Sequence, residues 1–116
     1  MSGWDTEIFT EEANTDFLEE LLSLEAEDIV ESVRDACLLA QDPTAGETDK
    51  LNALAAATIA AIWSGAPYTS GEIVDEYPFI RELSGQADET LRELASGVLE
   101  QAETEEDLDP FLEALS

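Results

Sequence analysis

Carboxylates are the only chemistry-bearing groups this chain holds in quantity. It carries 29 Asp and Glu against 4 Lys and Arg, with no His, for a net charge of −25 on 116 residues. Three sets recur at helical spacing: Glu12, Asp16 and Glu20; Glu27, Glu31 and Asp35; Glu89 and Glu93. Residues four apart share one helix face, so each set forms a ladder of like charge. Each adjacent pair costs an isolated helix about 0.2–0.5 kcal/mol, and interleaved cations would remove that cost. Only Arg34 and Arg92 lie near these ladders in sequence.

Acid ladders invite three kinds of chemistry. Carboxylate pairs can do the acid–base work of glycoside hydrolysis, but among 29 acids such pairs arise by chance. Oxygen clusters can hold Mg²⁺ or Ca²⁺. The one loop resembling a calcium-binding hand, Asp42 to Ala53, has Gly46 at position five rather than six and Ala53 where the closing Glu belongs. It is rejected. The third use is electrostatic: a negative face steers and holds a basic partner.

The missing residue types exclude more. Without His there is no Ser-His or Cys-His pair, and zinc lacks a Cys or His cluster. Cys37, the sole cysteine, falls on an apolar helix face and reads as a small core residue. Lys50, the sole lysine, sits at an exposed helix start, which does not suit a Schiff base. There is no glycine-rich phosphate loop. Net negative charge argues against direct contact with nucleic acid or an anionic membrane. No catalytic residue, metal site or cofactor is assigned.

The elements that must position these acids read as helices throughout. Ala13, Phe17, Leu18, Leu21 and Leu22 give one apolar face to a helix from about Glu11 to Leu22, with Thr10 as its N-cap. Ile29, Val30, Val33, Cys37 and Leu38 do the same for Glu25 to Ala40, which Asp42-Pro43 ends. Thr44 to Glu47 fits a capping box. The helix it opens runs to about Trp63, with Leu51, Leu54, Ala55, Thr58, Ile59 and Ile62 as a wide stripe, and is expected at the centre of the core. Ser64-Gly65-Ala66-Pro67 is the clearest break. Tyr68 to Leu83 reads as two short helical pieces, the second opening at Pro78. A helix from about Asp88 to Gln101 follows. Thr104 to Asp107 resembles another capping box, and a last helix carries Leu108, Phe111, Leu112 and Leu115. Trp4, Trp63, Tyr68, Tyr77 and Phe79 could line a ligand pocket, but at helical spacing they read as core. The fold class is all-α: one domain over residues 1–116, about five to six helices, with an extended N-terminal arm from Gly3 to Thr10.

The stretch Trp4-Asp5-Thr6-Glu7-Ile8-Phe9-Thr10-Glu11-Glu12-Ala13-Asn14-Thr15-Asp16-Phe17 resembles the opening of a bacterial family, the domain of unknown function numbered 4259. That family begins Trp-Gly-x-Gly-x-Phe-x-Asn-Asp-x-Ala-x-Asp followed by Trp or Phe. Trp4, Phe9, Asp16 and Phe17 match, while Asp5, Glu7, Glu11, Glu12 and Asn14 depart from it. The resemblance implies a bacterial helical domain and no activity. On physical grounds Trp4 and Phe9 belong to an arm packed over the helix that carries Phe17. Asp16 is then either solvated or hydrogen-bonded to the arm's backbone.

Acids are unevenly placed: twelve between Asp5 and Asp35, fourteen between Glu72 and Glu113, three between. Two acidic blocks therefore surround a neutral core helix. The expected function is a non-enzymatic module binding a basic protein, of immunity-protein or nucleic-acid-mimic type, through Glu12, Asp16, Glu20, Glu27, Glu31 and Asp35. One alternative is that the acidity reflects solubility or habitat; another is a carboxylate-based metal-binding protein or enzyme. No disulfide is possible with one Cys, no signal-like N-terminus is present and the apolar run Ala53 to Trp63 is too short to span a bilayer, so a cytoplasmic location is expected.

Overall fold

A segment apolar on every side is stable as a helix only when enclosed by others. Ala53 to Trp63 is such a segment. The structure, a computed structural model, describes residues 4–68, 71–102 and 108–116. Among them are eight helices and no strand: α1 (Trp4–Phe9), α2 (Glu12–Leu22), α3 (Ala26–Leu39), α4 (Glu47–Trp63), α5 (Gly71–Glu76), α6 (Phe79–Glu82), α7 (Glu89–Glu100) and α8 (Asp109–Leu115). α1, α2, α3, α6, α7 and α8 all pack on α4. At 17 residues α4 is about 25 Å long, against molecular dimensions of 32 × 31 × 29 Å. Ala53, Ala55, Ala56, Ala57, Ala60 and Ala61 are wholly buried along it, and their small side chains let its neighbours approach closely. The radius of gyration, 12.5 Å, is below the roughly 13 Å usual for this length.

Two expectations change. The helices number eight among the described residues, not five to six, because short pieces flank the long ones. The expected arm is a helix. Trp4 and Ile8, and likewise Asp5 and Phe9, stand four apart, and all four are buried. Six residues are too few to hold a helix alone, so α1 depends on α4: Trp4 Nε1 donates to Thr58 Oγ1 at 2.9 Å, and that hydroxyl donates to the Leu54 carbonyl at 2.8 Å.

Caps shift as well. Thr10 does not cap α2. Its hydroxyl donates back to the Thr6 and Glu7 carbonyls, closing α1, and Glu11 takes the N-cap position. Thr44 bonds Asp42 instead of opening α4: Asp42 Oδ1 accepts from the Thr44 N–H at 2.9 Å and its hydroxyl at 2.7 Å. These two donors hold the Asp42 carboxyl below its usual range. Gly46 is the N-cap of α4, its N–H donating to Asp49 at 3.4 Å. The Thr104–Asp107 box lies outside the described residues.

The break after α4 is a Schellman turn. Ala66 N–H donates to the Ala61 carbonyl and Gly65 N–H to that of Ile62, with Gly65 at φ +110°. Trp63 is then anchored from both sides, donating from Nε1 to the Phe79 carbonyl at 3.2 Å and accepting from Gly85 N–H at 2.8 Å. Pro78 sits at the N-cap of α6, as its place in the sequence implies.

Candidate functional site

The α2 ladder is straight because Asn14, Leu18 and Leu21 commit the opposite side of the helix to the core. Glu12, Asp16 and Glu20 are exposed and line a groove of about 450 Å³ between α2 and the start of α4. Half-buried Ala13 and Phe17 lie between them, and Thr48 and Asn52 complete the lining from α4. Asn52 Oδ1 is shut from solvent with no hydrogen-bond partner among the described residues. No basic side chain lines the groove.

The α3 ladder is placed differently. Ile29, Val33 and Cys37 face α4 and α7, so Glu27, Glu31 and Asp35 point outward on open surface. α2 and α3 each pack on α4 rather than along one another. The six ladder acids therefore form two surfaces. Of the cations, Arg34 pairs with Asp88 at 3.0 Å, and Asp88 also caps α7 by accepting from Leu91 N–H. Arg81 pairs with Asp75 at 3.5 Å. Neither reaches a ladder.

Asp16 does not hold the N-terminal segment. Asn14 does: its Nδ2 donates to the Ile8 carbonyl at 2.8 Å, and the side chain is fully buried. Trp4 and Phe9 are buried as expected of residues packed on the core, within α1; Phe17 is half-buried on α2. Cys37 is wholly buried, and burial pushes its thiol up to about 12. Trp4, Trp63, Tyr77 and Phe79 are core, while Tyr68 is 39% exposed. Tyr77 packs on Phe79 with ring centroids 6.2 Å apart.

Besides Tyr68, two leucines expected inside are outside. Leu38 stands nine positions after Ile29, about two and a half turns, which puts it on the outer face at 47% exposure. Leu22 ends α2 on its flank and is 46% exposed. Leu22 and Leu24, with Ile29, Phe79 and Leu83, line a second, smaller groove of about 260 Å³. Among the described residues no three His, Cys, Asp or Glu side chains converge to hold a metal ion, and no helix is long and apolar enough to cross a membrane.

A family match settles the wider kinship. The domain of unknown function DUF4259 matches residues 2–113, nearly the whole chain. The chain belongs to the DUF4259 family. The N-terminal resemblance thus extends through every helix to within α8. No curated protein and no solved structure matches it.

Proposed function

We propose that this DUF4259 chain is a non-enzymatic binding module, bacterial and cytoplasmic, that captures a basic protein as immunity proteins and nucleic-acid mimics do. The observation that carries this reading is the α2–α4 groove: three carboxylates in a row, an unpaired acceptor beside them, and no cation in the lining. Such a surface favours the entry of hydrogen-bond donors carrying positive charge, as Arg and Lys side chains do. Charge of this size also steers encounter, so association would be fast at low salt and slow as salt rises.

The test is capture from lysate at low and high salt by the native chain and by the E12Q/D16N/E20Q variant. The reading expects basic proteins retained at low salt, released by salt and lost in the variant. Retention of no basic protein, or equal retention by the variant, overturns it. The α3 ladder supports a second reading. Its three acids are exposed, which is what acidity for solubility or habitat requires.

A further inference from the structure

The exposed leucines at the end of α2 have no place in a solvated acidic face. Leu22 and Leu24 are 46% and 37% exposed, and with Ile29, Phe79 and Leu83 they line the 260 Å³ groove between the α2–α3 turn and α6. We propose that this groove seats the apolar anchor of a basic amphipathic segment of a partner protein, with the segment's cations lying over the surrounding acids. The inference rests on the basic-partner reading and names the form that partner takes.

The groove is smaller than the roughly 300–1,000 Å³ of small-molecule sites, so it fits a protruding side chain. Its surroundings select the charge. Glu82 is part of the lining, and exposed Glu25 and Asp28 adjoin the lining residues Leu24 and Ile29 in the chain. The C-terminal end of α2, negative by its dipole, has no basic residue in its last turn. Arg81, the nearest cation in sequence, is engaged by Asp75. A second copy is a poor occupant, because two chains of charge −25 repel. A segment that alternates cations with an apolar residue at helical spacing meets both demands, in the manner of a helix laid into a groove.

The experiment uses two synthetic 15-residue helical peptides rich in Lys, one with a central Leu and one with Ser in its place, titrated into the full-length chain. Affinity is read by calorimetry and location by NMR amide shifts. The Leu peptide is expected to bind about tenfold tighter, with shifts centred on Leu22, Leu24 and Leu83. The L22S/L24S variant should erase that difference while still binding the Ser peptide, and E82K should weaken both peptides without unfolding risk at this exposed site. Equal affinities, or a difference that survives L22S/L24S, overturn the groove while leaving the basic-partner reading standing. Failure of both peptides to bind overturns both readings. A peptide-free dimer that L22S/L24S dissociates would give the groove to a second copy and overturn the inference.

Discussion

Asn14 and Ile8 are joined by a buried hydrogen bond, Nδ2 to carbonyl oxygen at 2.8 Å, which fixes the end of α1 against the first turn of α2. Asn14→Ala removes the donor and leaves the Ile8 carbonyl only the longer bond from Glu11 N–H, at 3.4 Å. Unfolding in urea should show a loss of about 0.5–1.5 kcal/mol. A loss below half a kcal/mol would mean that α1 is held by its apolar contacts alone.

Asp16, two residues on, should behave oppositely. It stands four from both Glu12 and Glu20, so Asp16→Asn relieves two like-charge pairs. Stability should rise by about 0.4–1 kcal/mol at low salt, and the gain should shrink as salt is added. A destabilised variant would show that Asp16 makes a structural bond after all.

Trp4 and Thr58 bring residues 54 positions apart into one buried bond. Thr58→Val leaves the indole N–H unsatisfied, at about 1–3 kcal/mol. Adding Trp4→Phe removes the orphaned donor. The double variant should therefore lose less than the two single losses added together, a coupling that a double-mutant cycle reads directly.

Two glycines should respond with opposite sign. Gly65 at φ +110° has space for a Cβ but a backbone that L residues resist; Gly65→Ala should cost about 1–2 kcal/mol. Gly97 lies inside α7 with nothing within 4 Å of a built Cβ. Gly97→Ala should stabilise by about 0.5–1 kcal/mol. Thermal melts of both variants decide the matter.

Cys37 and Tyr77 make the fold sensitive to base. Both have folded pKa values raised by burial, so both favour the neutral form when folded. Their contribution is fully present below the unfolded thiol and phenol values. It is lost as pH climbs from about 9 through the folded thiol value of about 12. Urea midpoints should fall over that window, and less so in Cys37→Ala after its own packing loss is subtracted. At pH 8 the native thiol should react with a disulfide reagent only as fast as the chain opens.

The long helices and the central place of α4 are legible in the sequence because their apolar periods run for three turns or more. α1 was hidden by its length: six residues give one repeat of the pattern, and Trp4, Ile8 and Phe9 look equally like a tucked loop. Caps misled where two polar residues competed, as when Asp42 drew the Thr44 hydroxyl away from α4. The α2 ladder was visible from spacing alone, but not its groove, since Thr48 and Asn52 arrive from a helix some thirty residues later. The second groove was masked by a residue type. Leu22 extends the apolar stripe of α2, and nothing local reveals that the stripe outruns the core.

The hub position of α4 orders events during synthesis. α2 and α3 are built before the helix they pack on, and they do not pack along each other. Residues 4–46 lack the helix that covers their apolar faces until α4 is present, and that stretch carries thirteen acids against one Arg. Like charge at that density opposes its self-association while those faces are open.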